Sequence, residues 1–367
     1  MKILVAGDWH SELHEEAVYQ ALIHLGQDIV RFPWQHYFKS TNNCLGRLTS
    51  PALKFQNKYL LGPAVHRLNR DLVACVSDEK PDAVFIYRGS HIYPETLHRL
   101  RETSPASVLI GYNNDDPFSP ACPRWMWRHF LKGIREYDLV LAYRCHNLED
   151  FTKAGARRVN LLRSWYIPER NRPVELNADE QRRFGCDVVF VGHYENDGRL
   201  DYLKKVVHLG YRLRLWGPGY EWEPVLKGIP ELREQIPVRL VWADEYNKAL
   251  VGAKIALNFL SKLNRDTYTR RCFEIPATGS FLFSEYSEDL STLFAEGIEA
   301  EFFRSLVDFE QKLRHYLVEN EAAREQVAKA GLLRVSRDGH DVESRMCNLL
   351  GWIEEVRSVA ASEKCVR

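Results

Sequence analysis

Residues 266–284 (DTYTRRCFEIPATGSFLFS) combine basic, acidic and glycine residues in an order that could bind the phosphates and ribose of a nucleotide. The order predicts a polar loop, a short helix, a stop at Gly279 and a buried strand. We expect residues 267–271 to offer unpaired N–H groups at the helix start, with the Arg271 guanidinium added for phosphate oxygens. Glu274, deeper in the helix, could accept hydrogen bonds from a ribose diol. Composition alone also fits an ion pair between Glu274 and an adjacent arginine on a solvated helix face.

Two further glycine turns follow predicted buried strands in the second half of the chain. The run VFVGHY places Gly192 and His193 after one strand, and Arg199 stands at the predicted start of the next helix. Ligands of open parallel sheets bind beyond the carboxyl ends of the strands, so Gly192 would allow close approach and Arg199 would reach a diphosphate. The run LWGPGY places Trp216 and Gly217 as a wall for a nucleobase. Ordinary β–α turns and a core position for Trp216 are the alternatives.

Polar residues also follow predicted strands in the first half of the chain. Asp8 and His10 come directly after the first strand, and Asp115 and Asp116 follow a later strand. Carboxylates and a histidine at strand ends are candidates for a general base or for binding an acceptor hydroxyl. Turn and helix-capping chemistry is the alternative, because Asn, Asp and Pro favour turns. A metal site at Asp115 and Asp116 is disfavoured, since the nearby sequence offers no further ligands.

The elements that would position these residues alternate between strands and helices, which predicts parallel sheets. In the first half, apolar runs predict strands at residues 2–6, 28–32, 83–87, 108–112 and 139–142. The pattern restarts in the second half, with strands predicted at residues 187–191, 213–216, 238–241 and 255–259. We therefore predict an α/β protein with two Rossmann-like, doubly wound domains.

The polar, proline-containing segment 166–186 predicts a linker between the two domains. On this basis residues 1–165 form an N-terminal domain and residues 187–337 form a C-terminal domain. Apolar residues at helical spacing predict a last helix within residues 338–367.

Composition excludes several classes of protein. The 367 residues include 50 basic and 50 acidic residues, which gives no support to broad binding of nucleic acid. The chain starts with a strand rather than a signal peptide, and no apolar run is long enough for a transmembrane helix. The eight cysteines form no C-x-x-C pair and lack zinc-ligand spacing, which favours reduced thiols. We expect a cytoplasmic protein, and a peripheral contact with the inner membrane face stays compatible with the sequence.

At the run TRRCFEIPATG the chain resembles the glycosyl transferase group 1 domain, and more closely its bacterial branch of spore-maturation-protein-like glycosyltransferases. Other pieces agree in order along the chain: Asp115-Asp116-Pro117, Phe190-Val191-Gly192, Trp216-Gly217, and His340 with Arg345. The resemblance implies a GT-B fold, in which a C-terminal domain holds the nucleotide sugar and an N-terminal domain the acceptor across a cleft. It implies that the last helix crosses back onto the N-terminal domain. It also implies no bound metal and no cofactor beyond the nucleoside diphosphate sugar itself.

The family's site residues carry over in part. Glu274 matches the second glutamate of the E-x7-E element, which holds the donor ribose, whereas Asp266 stands where the family has the first glutamate. Aspartate could still accept a hydroxyl of the donor sugar. The element belongs to retaining enzymes, which favours retention, while an inverting enzyme would take its base from Asp8, His10, Asp115 or Asp116. The expected donor-binding residues are Gly192, His193, Arg199, Trp216, Gly217, Asp266, Thr269, Arg271 and Glu274.

The sequence therefore predicts a hexosyl- or deoxyhexosyl-transferase that moves a sugar from a nucleoside diphosphate to an acceptor. A precursor of a bacterial surface glycan or glycolipid is the expected acceptor. One alternative is another reaction on the same fold, by an epimerase or a phosphorylase. The other is a scaffold that binds carbohydrate or nucleotide without catalysis, which the aspartate at position 266 keeps open.

Overall fold

The computed structural model of the chain describes residues 1–39 and 44–365. The chain divides into two compact units. The first unit contains residues 1–163 together with residues 342–367, and the second contains residues 164–341. Each unit is built around one parallel sheet.

The first sheet has six strands in the order β2-β1-β3-β4-β5-β6. All its neighbouring strands run parallel. Apolar residues fill the central strands on both faces, and the five residues AVFIY of one strand are all buried, as expected for a sheet covered on both sides. The strands are β1 (Lys2–Gly7), β2 (Asp28–Pro33), β3 (Ala83–Tyr87), β4 (Val108–Asn113), β5 (Leu139–Ala142) and β6 (Val159–Leu161).

Helices connect these strands and cover the sheet. The chain order alternates strands with helices, which is the pattern that places helices on the faces of a parallel sheet. The helices are α1 (Glu15–His24), α2 (Cys44–Tyr59), α3 (Pro63–Glu79), α4 (Pro94–Thr103), α5 (Arg128–Lys132) and α6 (Cys145–Lys153).

The second sheet has five strands in the order β11-β10-β9-β7-β8, again all parallel. Its core packs phenylalanine and leucine side chains such as Phe190, Leu257 and Phe283 against Leu203 of a covering helix. The strands are β7 (Cys186–Val191), β8 (Leu213–Trp216), β9 (Ala253–Asn258), β10 (Leu282–Glu285) and β11 (Glu301–Phe303).

The helices of the second unit include the short helix that carries Arg271 and Glu274. Gly279 follows this helix with a φ of 77°, a left-handed conformation that glycine adopts without steric cost, as the sequence predicts. The helices are α7 (Ala178–Phe184), α8 (Arg199–His208), α9 (Gly219–Leu226), α10 (Asp244–Val251), α11 (Arg271–Ala277), α12 (Glu288–Leu293), α13 (Leu306–Arg314) and α14 (Glu321–Arg337).

The last helix, α15 (Val342–Cys365), belongs to the first unit. Within that unit Glu343 Oε1 lies 2.8 Å from His24 Nδ1, and ion pairs join Arg357 Nη2 to Asp82 Oδ1 at 2.9 Å and Arg158 to Glu355. The first unit is therefore assembled from the two ends of the chain.

Three sequence predictions differ from the structure. Residues 238–241 do not form a strand, and β8 instead lies at the edge of the second sheet. The polar segment 166–186 lies inside the second unit and contains α7, which starts with a complete capping box at Asn177 and Glu180. The edge strands β6 and β11 are missing from the sequence predictions because each has only three residues.

Within the described parts of the chain, no helix combines the length and the apolar character that crossing a bilayer requires.

Candidate functional site

The second sheet has a topological switch point between β7 and β9. The chain leaves β7 toward β8 on one side and returns to β9 on the other. Ligands of open α/β sheets bind in the crevice that such a reversal creates at the carboxyl ends of the strands. The residues that follow β7 and β9 are therefore the first place to search for a site in this unit.

Gly192, directly after β7, lies against Arg271 of α11. A Cβ atom at position 192 would be 2.9 Å from Arg271 Nη2, so the missing side chain leaves the space that the guanidinium occupies. The backbone N–H of Gly192 donates to the Trp216 carbonyl at 2.9 Å, and its own carbonyl accepts from Trp222 Nε1 at 2.9 Å. Both backbone polar groups of Gly192 are thus bonded within the protein, and its missing side chain leaves room for the guanidinium. The fold brings together two residues that the sequence places 79 positions apart.

Glu274 lies in the first turn of α11, and only 6% of the residue is exposed. Its Oε2 accepts a 2.8 Å hydrogen bond from the hydroxyl of Tyr246 on α10. Burial and the nearby Glu274 carboxylate raise the pKa of the Tyr246 hydroxyl well above its ordinary value. The alternative prediction, an ion pair between Glu274 and an adjacent arginine on a solvated helix face, is therefore wrong. Tyr246 had no place in the sequence predictions, because nothing in its local pattern links α10 to α11.

The helix α11 has only seven residues, and Arg270 at its N-cap already has helical φ and ψ. Such a short helix supplies little macrodipole, so the start of α11 is not by itself an anion site. The side chains of Arg271 and Glu274, three residues apart, carry the chemistry of this segment.

Thr269 and Asp266 precede α11 in the loop. Thr269 is buried, and its hydroxyl donates to Asn258 Oδ1 at 2.8 Å, while Asn258 Nδ2 donates to Ser284 Oγ at 2.9 Å. The Thr269 hydroxyl therefore fixes the loop to the end of β9, and a donor-binding role for Thr269 stays a prediction. The Asp266 backbone N–H donates to the Ser261 carbonyl at 2.8 Å.

Arg199 has a different role from the predicted diphosphate ligand. The residue is buried at the start of α8, and its guanidinium binds Asp197 through two hydrogen bonds of 2.8 and 2.5 Å. It also donates to the His193 carbonyl at 2.6 Å. These bonds occupy the guanidinium fork, so Arg199 holds the turn after β7 in shape. The His193 ring itself is exposed and lies 3.1 Å from the Glu221 carboxylate.

The Trp216–Gly217 turn is closely packed. A Cβ atom at position 217 would lie 2.2 Å from the Gly192 carbonyl oxygen and 2.8 Å from Trp222 Nε1, so only glycine fits. The Trp216 ring packs on Phe184 of α7 with 5.6 Å between ring centres. Trp216 is half-buried, so its place as a wall for a nucleobase stays a prediction, and Gly217 permits the contact between the two turns.

The first sheet has its own switch point, between β1 and β3. Asp8 and His10 follow β1 there, and Asp8 Oδ2 lies 3.2 Å from His10 Nδ1. Although burial opposes the shift, the His10 hydrogen bond lowers the pKa of Asp8 below its ordinary value. The same bond raises the pKa of His10 above its ordinary value of 6.5. The two residues form a partly exposed carboxylate–imidazole pair.

A buried carboxylate that the sequence predictions missed lies beside this pair. Glu15, at the start of α1, is 1% exposed, and its Oε1 accepts the Asp8 backbone N–H at 2.9 Å. Its Oε2 is buried without a hydrogen-bond partner in the described part of the chain. Burial raises the pKa of Glu15 above its ordinary value of 4.5. A Cβ atom at position 7 would lie 2.3 Å from Glu15 Oε1. Gly7 is therefore the feature of the sequence that could have indicated a side chain packed against the end of β1.

Asp115 and Asp116, after β4, have separate environments. Asp115 Oδ2 accepts from Arg88 Nη2 at 2.6 Å, which makes it half of a partly exposed ion pair. Asp116 is fully buried, and its Oδ1 accepts from the Phe118 backbone N–H at 3.0 Å and from Asn147 Nδ2 at 3.1 Å. The turn-capping alternative therefore describes Asp116, and a role as general base does not fit its burial.

The fold does bring further metal-ligand types to Asp116. One ligand atom each from Asp116, His146 and Asp150 lies within 4.8 Å of the others. The expectation that no further ligands lie nearby is therefore wrong for the folded chain. Asp116 Oδ1 accepts hydrogen bonds of ordinary length from Phe118 and Asn147, and Oδ2 lies 3.4 Å from His146 Nε2, so these contacts account for the burial of Asp116.

Comparisons with known proteins give a family match over part of the chain and a common fold over nearly all of it. Residues 199–351 match the family model described as glycosyl transferase-like. No curated protein matches the chain in sequence.

Solved structures of similar fold cover almost the whole chain. The Anabaena protein HepE, in complex with UDP-glucose, is similar with a TM-score of 0.67 at 10% identity over 99% of this chain and 100% of that chain. Sucrose-phosphate synthase from Thermosynechococcus elongatus gives 0.70 at 11% identity over 98% and 99%. A glycosyltransferase from Rickettsia africae gives 0.68 at 11% identity over 97% and 98%. The chain therefore has the GT-B fold of these structures, with two Rossmann-like units, and its residues 199–351 match the glycosyl transferase-like family model.

Proposed function

We propose that the chain transfers a sugar from a nucleoside diphosphate sugar to a glycan or glycolipid acceptor, and that the second unit binds the donor. One observation carries the proposal. The Arg271 guanidinium lies against Gly192 at the β7–β9 switch point, and the buried Glu274 carboxylate follows three residues later on the same helix. A cation for a diphosphate and a carboxylate for a ribose diol thus stand side by side.

Each donor-binding residue has a distinct task in this proposal. Arg271 stabilises the negative charge that grows on the leaving diphosphate as the bond to the sugar breaks. Glu274 accepts hydrogen bonds from the ribose hydroxyls, while Tyr246 keeps its carboxylate in place. Asp266, in the loop before α11, contacts the transferred sugar. A UDP-sugar is the first donor to test, because HepE is crystallised with UDP-glucose.

The first unit is proposed to bind the acceptor near Asp8 and His10. In the transfer, the acceptor oxygen forms a bond to the anomeric carbon, the bond to the diphosphate breaks, and the acceptor proton leaves. With retention, which the family element favours, the proton passes to the leaving phosphate, and the pair only binds the hydroxyl. With inversion, His10 takes the proton as a base oriented by Asp8. The anomeric configuration of the product, read by NMR, decides between the two.

The donor site is tested by a thermal-shift screen of nucleoside diphosphates and their sugars, since a ligand that binds only the folded state raises its stability. For the ligand that binds, Arg271→Ala and Glu274→Ala should each weaken donor use about tenfold or more, as expected for lost charged hydrogen bonds. Arg182→Ala, on the exposed face of α7, is the matched control and should leave donor use unchanged. Normal donor kinetics in both site variants would remove this assignment.

Metal independence and localisation belong to the same proposal. Arg271 supplies positive charge that a divalent ion supplies in other enzymes, so transfer should continue in EDTA. Loss of activity in EDTA, restored by Mg²⁺ or Mn²⁺, would contradict this part. We propose a cytoplasmic enzyme of bacterial polysaccharide biosynthesis, which works where nucleotide sugars are made.

Two other functions make different predictions in the same assays. A phosphorylase would release a sugar phosphate only when phosphate is present, and an epimerase would convert the nucleotide sugar without an acceptor. A scaffold without catalysis would show no turnover, and if it binds carbohydrate alone, calorimetry would find no nucleotide bound even at millimolar concentration.

A further inference from the structure

The charges of this chain are distributed unevenly along the sequence. Fifty basic and fifty acidic residues balance over the whole chain, yet residues 29–70 contain no aspartate or glutamate. The basic residues of this segment are Arg31, Lys39, Arg47, Lys54, Lys58, Arg67 and Arg70. The segment forms β2, α2 and the start of α3, so the positive charge is concentrated in one part of the first unit.

One face of the helix α2 is fixed to the body of the first unit. Gln56 Oε1 accepts the Ala64 backbone N–H at 2.7 Å, and Asn57 Oδ1 lies 2.8 Å from the ring nitrogen Nε2 of the buried His91. Just after the helix, the carbonyl of the buried Leu60 accepts from Arg128 Nη2 at 3.1 Å. The position of the last two turns is therefore set by side-chain and backbone contacts on this face.

The other face combines lysines with exposed apolar side chains. Lys54 and Phe55 are adjacent in α2, Lys58 lies one turn after Lys54, and Leu61 follows just beyond the end of the helix. Phe55 is 54% exposed and Leu61 is 45% exposed. Among the described residues neither lysine has a carboxylate partner; Lys58 Nζ instead lies 5.4 Å from the centre of the Tyr59 ring.

We propose that these four residues, Lys54, Phe55, Lys58 and Leu61, form the α2 surface, a docking site for an anionic lipid membrane. Charge complementarity supports this occupant, because unpaired lysines in a segment without acidic residues are attracted to anionic headgroups. The exposed Phe55 and Leu61 support it as well, since a basic amphipathic helix places its apolar side chains at the boundary between headgroups and acyl chains. Trp125, whose ring centre is 5.4 Å from that of Tyr59, adds an aromatic residue of the type enriched at membrane interfaces.

The proposal is independent of sugar transfer, because binding to vesicles needs neither donor nor acceptor. It goes beyond the proposed function in assigning a surface that holds the enzyme at a membrane. If transfer fails and vesicle binding holds, only the enzymatic assignment is lost, and the reverse result removes only the α2 surface.

The test is co-sedimentation of the full chain with vesicles. Vesicles of phosphatidylglycerol and phosphatidylcholine in equal parts should bind the protein, whereas pure phosphatidylcholine should bind it far less, and salt should weaken the binding. Lys54→Gln and Lys58→Gln should each lower the partition coefficient about fivefold, and Phe55→Ser should lower it at high salt as well. The double variant Lys227→Gln/Lys329→Gln removes two lysine charges from exposed positions of the second unit. It should bind the vesicles as the unchanged protein does.

Unaltered thermal midpoints of the α2 variants show that the loss of binding is not a loss of folding. Absence of binding to the anionic vesicles at low salt would overturn the proposal. So would equal binding by the α2 variants and the unchanged protein. Binding to heparin without binding to vesicles would overturn the lipid assignment in favour of a soluble polyanion.

Discussion

The hydroxyl of Tyr246 donates a 2.8 Å hydrogen bond to Oε2 of Glu274 and thereby joins α10 to α11. In the part of the chain that the structure describes, this is the one side-chain hydrogen bond to that carboxylate. Oε1 thus remains for a ligand. A carboxylate that is 6% exposed and held by a tyrosine on one oxygen has few orientations left, which is what binding a ribose diol requires.

Replacing Glu274 by glutamine should reduce discrimination between ribose and deoxyribose. The unchanged protein should bind UDP about tenfold more tightly than 2′-deoxy-UDP, because the deoxy ligand lacks a hydrogen bond to a charged group. In Glu274→Gln, UDP should bind no more than about threefold more tightly than 2′-deoxy-UDP. Titration calorimetry with both nucleotides measures it, and an unchanged ratio would mean that the ribose lies elsewhere.

Removing the hydroxyl of Tyr246 should weaken donor binding more than turnover. Tyr246→Phe deletes one neutral hydrogen-bond donor, worth about 1 kcal/mol, so the donor KM should rise about fivefold with kcat nearly constant. Tyr211→Phe, in the same unit, removes a hydroxyl that has no hydrogen-bond partner among the described residues, and it should change neither constant. A purely structural role for Tyr246 would lower the thermal midpoint instead and leave KM unchanged.

The two glycines of the second unit should respond differently to alanine. Gly217→Ala puts a methyl group 2.2 Å from a backbone oxygen, so its thermal midpoint should fall by about 5 °C. Gly192→Ala meets the movable end of Arg271, so it should lower the midpoint less and displace the guanidinium. Donor affinity should then fall about tenfold in Gly192→Ala. Equal loss of stability in both variants, with donor affinity intact, would contradict the role given to Arg271.

The Asp8–His10 pair predicts a histidine that titrates above 6.5. NMR titration should show this, and Asp8→Asn should lower the pKa of His10 because the hydrogen bond to the carboxylate is lost. If His10 is the base, the rise of kcat/KM with pH follows the same pKa and moves to lower pH in Asp8→Asn. A pH profile that does not move would assign His10 to binding the acceptor.

The buried Glu15 predicts that glutamine at this position stabilises the protein near neutral pH. Because folding raises the pKa of Glu15, the folded state loses stability as pH rises from the unfolded value of 4.5 through the folded value. Glu15→Gln keeps an oxygen for the Asp8 backbone N–H and has no charge to bury. Its thermal midpoint should exceed that of the unchanged protein at about pH 7, and the difference should disappear at about pH 4. A difference that stays constant with pH would exclude burial of charge as the cause.

Sequence patterns predicted most strands and the glycine turns. Apolar runs indicate local burial, and a glycine such as Gly192 indicates a place where the backbone needs space. Partners were much harder to predict. Arg199 has the right position for a diphosphate ligand, yet Asp197, two residues away, occupies its guanidinium. Thr269 faces Asn258, and Tyr246 reaches Glu274 across 28 positions. Such pairings depend on how helices pack on the sheet, and periodicity carries no information about that.

The division of the first unit between the two ends of the chain has a consequence for biosynthesis. Residues 164–341 form a continuous unit, whereas the first unit lacks α15 until residues 342–365 have been translated. Domains fold as units during synthesis, so the second unit can complete its fold on the ribosome first, although it comes later in the sequence. A nascent chain arrested before residue 342 would therefore expose the surface of α1 that α15 covers. A chaperone would bind the nascent chain at that surface.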